Sequence, residues 1–304
     1  MRCRSLAVVL NWKRGGMTCR CLESLAKGGW EGRVCVVDNG SADSSVEVIR
    51  EYVEGREGIV LVELPENMGF AGAVNRAVKA AGHEAERVLI INNDAFVEDD
   101  AVRCLWKAMD DDPAIAVIGP KIMQPGEPPR IDSAGCRGII QLAQPFMRGH
   151  GKADRGQYDH PEDVEYVTGA CLMVRMDVFE RVGGFDEDFF MYFEDWDFCR
   201  RVRQSGGRCV FLPSAVVTHI GSASTGDTTP FYHYHHARSR ILFARKHLSA
   251  SVFWCLFVPY MFFYRVIFQG IRMIVAGMPR NAAAILYGVL WHLGVRRDER
   301  PGLS

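Results

Sequence analysis

The stretch VLIINND, residues 88–94, places four apolar residues directly before two amides and a carboxylate. A short continuous apolar run of this kind predicts a buried strand of a parallel sheet. Because burying an unpaired charge is costly, Asp94 should emerge at the carboxyl end of that strand, the edge where open α/β sheets bind ligands. An acid flanked by amides there suits Mg²⁺ or Mn²⁺ carrying a diphosphate. From this stretch alone, Asn93 and Asp94 could equally cap the next helix.

The chain has 304 residues, enough for one large domain or two smaller ones. Its 48% apolar and 24% charged content is that of a globular protein with a proper core. The ten cysteines include no CxxC pair, which argues against a zinc site, and several lie in apolar runs. Since the N-terminus has no secretory pattern, we expect reduced thiols in a cytosolic compartment.

The net charge of −1 hides an uneven distribution. Between Arg238 and Arg300 the chain has ten lysines or arginines and only two acids, so the part before it is acidic. A basic, apolar tail on an acidic body favours a membrane surface over nucleic acid as the partner.

Strand and helix patterns alternate through the first 121 residues. Apolar runs predict strands at 6–10, 33–37, 59–64, 88–91 and 114–121, and helical patterns fill the intervals between the first four of them and follow 99–100. This alternation predicts βαβ units and a Rossmann-like α/β fold with a mostly parallel central sheet. The GxGxxG motif is missing after the first strand, and no P-loop occurs, which argues against a dinucleotide or P-loop nucleotide site.

Two strands of this series end in an acid. Asp38 follows the second strand and Asp94 the fourth. Each alone is more often a turn or cap residue than a ligand. Because the carboxyl ends of parallel strands meet at one edge of the sheet, the pair predicts a single site there.

The second half of the chain carries three further features. Residues 124–163 have no regular pattern, and a loop of that length is usually functional or mobile, as a lid or part of an acceptor site. Aromatic residues then lead into a helix start with Glu194, Asp195 and Asp197, which is favourable for the helix dipole but also the way a general base is built. His219 ends another apolar run, where it is either a packed residue or a metal or phosphate contact.

Taken in order, these pieces resemble the inverting glycosyltransferases of family 2, which have the A-type nucleotide-binding fold, and most closely their rhamnosyltransferase-like branch. The resemblance covers about residues 6–247. It rests on VLNW at 9–12, VVDNGS at 36–41, NMGFAG at 67–72 followed by Asn75, INND at 91–94, VTGA at 167–170, GGFD at 183–186, FMYFEDWD at 190–197, and His219.

The resemblance implies a role for each matching residue. Asp195 would be the catalytic base, and Asp94 with His219 would hold the Mg²⁺ or Mn²⁺ on the donor diphosphate. Asp38 would contact a uracil or thymine ring. The remaining residues would line the nucleotide or donor site (Asn11, Asn67, Gly69, Asn75, Asn92 and Asn93) and the sugar or acceptor pocket (Thr168, Gly169, Glu194 and Trp196). Asn92 and Asn93 stand where many members have a first aspartate, which leaves the metal site one charge short.

The C-terminal segment is apolar and basic. Residues 252–264 carry no charge, but a spanning helix needs about 20 residues, and we expect Pro259 and Arg265 to interrupt any extension. Arg265, Gln269 and Arg272 form one polar stripe on an otherwise apolar helix, which is typical of a helix lying in the membrane interface. A buried helix pair or a homodimer interface is the alternative.

These observations predict a catalytic domain at 1–247, with a nucleotide-sugar half at 1–121 and an acceptor half at 122–247, followed by a membrane-associating segment at 248–304. By resemblance, the protein would transfer a sugar with inversion, rhamnose from dTDP-rhamnose first, to a glycan or lipid-linked acceptor of cell-surface polysaccharide. It would act on the inner face of the cytoplasmic membrane. The alternatives are a sugar-nucleotide pyrophosphorylase, for which Arg14-Gly15-Gly16 is a poor loop, and a non-catalytic membrane-associated relative that binds a glycan or a partner.

Overall fold

A computed structural model describes residues 4–221 and 229–294 of the chain. These residues form two compact units. The first unit contains residues 4–137, 147–188 and 194–221, and the second contains 138–146, 189–193 and 229–294. The second unit thus includes the helix before the predicted boundary at residue 247 as well as the segment after it.

The strands follow the predicted series and continue beyond it. They are β1 (Ser5–Asn11), β2 (Arg33–Asp38), β3 (Ile59–Glu63), β4 (Arg87–Asn92), β5 (Ala95–Val97), β6 (Ile115–Gln124), β7 (Arg130–Ser133), β8 (Cys136–Ile139), β9 (Gln144–Met147), β10 (Glu162–Asp163), β11 (Cys171–Arg175) and β12 (Arg208–His219). The helices of the first unit are α1 (Gly15–Lys27), α2 (Ser45–Val53), α3 (Gly69–Ala81), α4 (Ala101–Asp111), α5 (Met176–Arg181) and α6 (Glu194–Gln204).

The central sheet has ten strands, eight of them in the order β10-β12-β6-β11-β4-β1-β2-β3, with β5 on β12 and β7 on β6. The pairs within β3-β2-β1-β4 are parallel, as is β6 with β12. The predicted mostly parallel α/β sheet is therefore confirmed. The insertion of β11 between β4 and β6, antiparallel to both, was not predicted.

The buried strands divide their side chains between the two faces of the sheet. Alternate residues of β1, β2 and β4 join the inner sides of α1 and α4 in one apolar cluster, including Val9, Val36 and Ile91. Helix α3 also contacts β1 and β2. Because helices cover this part of the sheet, β1, β2 and β4 are apolar between their ends, and their charged groups are confined to the ends.

The long segment 124–163 contains short strands rather than a structureless loop. Lys121 is buried on β6, and its Nζ lies 2.7 Å from both Asp154 Oδ2 and Asp159 Oδ1. Because both carboxylates belong to the segment 124–163 and pair with one buried ammonium group of the sheet, they hold the segment against the sheet. Whether the segment acts as a lid stays a prediction.

The described part of the second unit is mostly helical, with α7 (Pro230–His247), α8 (Ala250–Val275) and α9 (Pro279–Leu290). Gly288 of α9 lies against α7, where an added Cβ would come within 2.4 Å of the Tyr234 carbonyl oxygen. This close approach therefore requires glycine. Arg296 and Arg297, which the sequence counts in the basic tail, lie outside the described residues.

The prediction that Pro259 and Arg265 interrupt the C-terminal helix is wrong. Helix α8 runs continuously through both, with π-helical turns at Phe253–Phe257 and Tyr260–Phe268. The wider i→i+5 turns accommodate a residue that has no N–H to donate. Among the described residues, α8 is the one helix long and apolar enough to cross a membrane, by length and composition alone.

Candidate active site

The carboxyl ends of three adjacent strands bring the donor-site residues to one edge. On β1, Asn11 lies opposite Asp38 of β2, and Leu10 lies opposite Asn92 of β4. The chain leaves β4 directly into Asn93 and Asp94. Strand β1 lies between β2, which ends in Asp38, and β4, which Asn93 and Asp94 follow. Asn11, at the end of β1, therefore lies between the ends of these two strands.

Asn11 is fully buried and positions Asp38. Its Nδ2 donates to Asp38 Oδ1 at 2.6 Å, and its Oδ1 accepts from Thr18 Oγ1 at 2.6 Å and from Asn93 Nδ2 at 3.0 Å. The other oxygen of Asp38 accepts the Ser41 N–H at 2.9 Å. Asn93 acts here as a donor, so an amide fits where a carboxylate would not. Thr18 could not be predicted from the sequence, because its contact depends on how α1 packs.

Asn67 and Gly69 order the start of α3 through a neighbour that the sequence analysis did not single out. Asn39 Nδ2 donates to Asn67 Oδ1 at 3.0 Å, and Asn39 Oδ1 accepts the Met68 N–H at 2.8 Å. Gly69 has φ +73° and donates its own N–H to Asn67 Oδ1 at 2.9 Å. The turn after β2 and the start of α3 are therefore one hydrogen-bonded unit at the sheet edge.

The side-chain amide of Asn75 bonds the backbone of Phe185. Its Nδ2 donates to the Phe185 carbonyl at 2.8 Å, and its Oδ1 accepts the Phe185 N–H at 3.0 Å. Both backbone groups belong to the GGFD turn at 183–186. The two motifs thus depend on each other, which neither reveals on its own.

His219 lies between two carboxylates. Its Nε2 is 3.2 Å from Asp94 Oδ1, and its Nδ1 is 3.1 Å from Asp132 Oδ2. Burial alone would lower the pKa of His219, but the hydrogen bonds to Asp132 and Asp94 raise it to about 9. Asp132 was not predicted, because it lies in the segment 124–163 where the sequence has no periodic pattern.

Asp94 and His219 are suited to a divalent cation together with a diphosphate. No group of three metal-binding side chains occurs among residues 4–221 and 229–294. A carboxylate oxygen and an imidazole nitrogen 3.2 Å apart can nevertheless share one cation. Two protein ligands leave positions free for diphosphate oxygens, which is how Mg²⁺ is commonly held on nucleotides. The side chains therefore fit Mg²⁺ or Mn²⁺ at this place.

Asp195 is a buried carboxylate in the first turn of α6. Its Oδ2 accepts the Gly169 N–H at 3.1 Å, and its Oδ1 accepts the Trp196 N–H at 2.7 Å. Burial raises the pKa of Asp195 to about 6, although these two N–H groups act in the opposite direction. An ionised carboxylate that is more basic than an ordinary aspartate has the property required of a general base near neutral pH.

The neighbours of Asp195 are buried with it. Glu194 has an oxygen, Oε2, without a hydrogen-bond partner among the described residues. Burial first, and then the charge of Asp195, raise the pKa of Glu194 well above its usual range. Trp196 is 2% exposed and stacks on Tyr166, which places it in the core. Asp197 pairs with Arg201 one turn along α6.

One loop connects Asp195 with the end of β4. Gly169 donates to Asp195, and the carbonyl of the next residue, Ala170, accepts the Asn92 N–H at 3.0 Å. Thr168 Oγ1 accepts the Ala170 N–H at 3.3 Å and so stabilises the same turn. The loop residues 168–170 therefore hold Asp195 beside the end of β4.

Comparison with known proteins identifies the family of the chain. The model of glycosyl transferase family 2 matches residues 7–183, more than half of the chain. The chain belongs to glycosyl transferase family 2. This confirms the family predicted from the sequence and makes the protein a glycosyltransferase rather than a pyrophosphorylase. A second model, described as the N-terminal domain of galactosyltransferase, matches residues 150–236.

The relatives agree with this assignment. The glycosyltransferase is 29% identical over 235 residues to an N-acetylglucosaminyl-diphospho-decaprenol L-rhamnosyltransferase of Mycobacterium tuberculosis, covering 70% of this chain and 75% of that protein. GalNAc-T7 with UDP, GalNAc and Mn²⁺ has a TM-score of 0.62 at 15% identity, over 77% of this chain and 47% of that chain. A mannosyltransferase of Pyrobaculum calidifontis in complex with GDP-Man and Mn²⁺ has a TM-score of 0.58 at 17% identity, over 98% of this chain and 77% of that chain. The two structures share the predicted A-type fold.

The hydrogen bonds of Asn11 predict the effect of placing an acid at position 93. Asn93→Asp removes the buried donor to Asn11 and adds a charge near Asp38, so we expect a loss of about 1–3 kcal/mol in the free energy of unfolding. Urea denaturation measures it. The matched control is Asn67→Asp, since Asn67 accepts the bonds described above through its oxygen, which a carboxylate retains. An Asn93→Asp variant as stable as the wild type would contradict the positioning role.

Proposed function

We propose that the glycosyltransferase transfers a sugar with inversion from a dTDP- or UDP-linked donor to a hydroxyl of a glycan or lipid-linked acceptor. The observation that carries the proposal is the buried carboxylate of Asp195, held by the Gly169 N–H in the loop that also bonds the end of β4. An inverting transfer requires one base on the face of the sugar opposite the leaving group. A single ionised carboxylate with a pKa of about 6 meets that requirement.

In this mechanism Asp195 takes the proton of the acceptor hydroxyl as its oxygen attacks the anomeric carbon. The bond from that carbon to the diphosphate breaks on the opposite face, and the nucleoside diphosphate leaves. Burial raises the pKa of Glu194 well above its usual range, which disfavours a second negative charge beside the base. The backbone N–H groups of Gly169 and Trp196 keep the carboxylate of Asp195 in one orientation.

The donor would lie along the ends of β1, β2 and β4. Asp38, fixed by Asn11 and Ser41, would contact the uracil or thymine ring. Asp94 and His219 would hold Mg²⁺ or Mn²⁺, which neutralises the charge that develops on the departing diphosphate. Asn67, Gly69 and Asn92 would line the donor site, and Thr168 and Gly169 would line the sugar or acceptor pocket.

Rhamnose from dTDP-rhamnose is the lead donor because of the mycobacterial relative, whose name specifies L-rhamnose and a polyprenyl diphosphate acceptor. By the same likeness, the product would belong to a cell-envelope polysaccharide. A lipid-linked acceptor would be reached at the inner face of the cytoplasmic membrane, which gives the exposed apolar helix α8 a function.

The surface of α8 supports a peripheral membrane position. Trp254, Phe263, Ile271 and Val275 are between 57% and 82% exposed. Arg265 and Arg272 are the charged residues of this helix, and both are basic. Aromatic and aliphatic side chains beside cations are the composition of helices that lie on anionic lipid surfaces. We therefore assign this face to lipid rather than to a homodimer.

Donor identity is tested by thermal unfolding with a panel of sugar nucleotides. A ligand that binds only the native state raises its apparent stability, so dTDP-rhamnose with Mn²⁺ should raise Tm more than UDP-hexoses do. GDP-mannose and dTDP-rhamnose with EDTA are the controls, for which we expect little change. No shift with any dTDP or UDP sugar, together with no detectable transfer, would favour the non-catalytic alternative.

Asp195→Asn should retain donor binding and lose transfer. Asparagine preserves the shape of the side chain but cannot accept a proton, so we expect kcat to fall at least about 100-fold while the thermal shift by the donor persists. Asp177→Asn, an exposed change on α5 paired with Arg181, is the matched control. Unchanged turnover would remove Asp195 from the mechanism.

The pH profile reports on the same group. A base must be ionised, and burial raises the pKa of Asp195 to about 6, so kcat/KM should fall as the pH drops through 6 and stay level above it. An ordinary aspartate would remain active down to about pH 4. A profile that is flat between pH 5 and 7 would contradict the assigned environment.

Lipid binding is tested by flotation of the full chain with anionic vesicles. The wild type should float, and Phe263→Glu combined with Ile271→Glu should remain in the soluble fraction because two charges then enter the apolar face. Val60→Glu, at an exposed valine of β3, is the control for adding charge and should float. A wild type that stays soluble, or that forms a dimer lost in the double variant, would favour the dimer interface instead.

A further inference from the structure

We propose that Asp132 is the positioning residue that aims His219 at the metal, an inference that rests on the proposed metal dependence of transfer. It starts from an arrangement that neither the sequence nor the family comparison assigned. Asp132 Oδ2 lies 3.1 Å from His219 Nδ1, on the side of the ring opposite Asp94. The imidazole therefore has one nitrogen for each carboxylate.

The backbone explains why His219 reaches Asp94. His219 is the last residue of β12, which pairs antiparallel with β5 so that His219 lies opposite Ala95. The Ile220 N–H donates to the Asp94 carbonyl at 3.0 Å and closes this end of the ladder. These contacts fix the Cα of His219 beside Asp94, but they leave the rotation of the ring undetermined.

Asp132 supplies the missing constraint. It lies on β7, which pairs with the end of β6 at a register irregularity between Ile122 and Met123. Its Oδ1 accepts from Gln124 Nε2 at 3.0 Å and lies 3.2 Å from His150 Nδ1. With Oδ1 held by these neighbours and the residue 9% exposed, Oδ2 has a fixed direction toward His219.

The direction of Asp132 Oδ2 determines which ring nitrogen of His219 carries a proton. A carboxylate accepts but does not donate, so Asp132 requires a proton on Nδ1 of His219. When Nδ1 carries that proton, the lone pair of a neutral imidazole lies on Nε2, the atom that faces Asp94. Asp132 thus selects the form of His219 that can bind a cation together with Asp94 Oδ1.

Asp132→Asn is the sharpest variant. Gln124 donates to Oδ1, so the amide oxygen of the new side chain would remain on that side and its NH₂ would turn to His219. A donor at Nδ1 favours the opposite tautomer, in which Nε2 carries the proton and cannot bind a metal. Asp132→Ala removes the partner without imposing the wrong one. Asp163→Asn, on exposed β10 and paired with Arg208, is the matched control.

The experiment is electron spin-echo envelope modulation of Mn²⁺ bound with dTDP or UDP, together with titration of Mn²⁺ affinity in the presence of the same nucleotide. The wild type and Asp163→Asn should show nitrogen coupling from a bound histidine that His219→Ala lacks. Asp132→Asn should lose that coupling and bind Mn²⁺ about 10- to 100-fold more weakly. Asp132→Ala should give an intermediate affinity, and circular dichroism checks that each variant is folded.

The outcomes separate this inference from the proposed function. Nitrogen coupling retained in folded Asp132→Asn, with wild-type Mn²⁺ affinity, would overturn the role of Asp132 and leave the metal site standing. A wild type without histidine coupling would overturn both the metal assignment of His219 and this inference. Sugar transfer by the wild type, measured in parallel, reports on the proposed function independently of either result.

Discussion

The in-register parallel pairing of β1 with β2 and β4 is the constraint on which the site depends. Strands covered on both faces cannot retain a charge, so their polar residues are confined to the ends. Parallel pairing brings those ends to one edge, where Asn11 lies opposite Asp38 and the chain turns from β4 into Asn93 and Asp94. The proposed site for a charged nucleotide donor thus lies where the buried sheet ends.

The antiparallel strand β11 connects this edge of the sheet with residues from the second half of the chain. Its approach loop bonds the end of β4 through Ala170 and bonds Asp195 through Gly169. Gly169 packs closely on α3, since an added Cβ would lie 2.8 Å from the ring of Phe70 and would displace it. Residues separated by about a hundred positions therefore meet through backbone hydrogen bonds and close packing, which no local pattern records.

Electrostatics then gives similar side chains different roles. Burial raises the pKa of Asp195 to about 6 although two N–H groups donate to it. The pKa of adjacent Glu194, which has one oxygen unpartnered among the described residues, is raised well above its usual range. Asp38 is held by an amide and a backbone N–H. Acids of similar chemistry thus have different surroundings in one chain, as the proposed roles of base, donor contact and metal ligand require.

The sequence by itself determined the alternating α/β order, the buried strands and the acids at their ends, because hydrophobic periodicity and the cost of buried charge are local properties. Its family resemblance was confirmed as well. It could not predict β11, the path of α8 through Pro259, or the partners Thr18 and Asp132. Only the tertiary structure decided these, because strand order, helix packing and the orientation of His219 depend on contacts between segments distant in the chain.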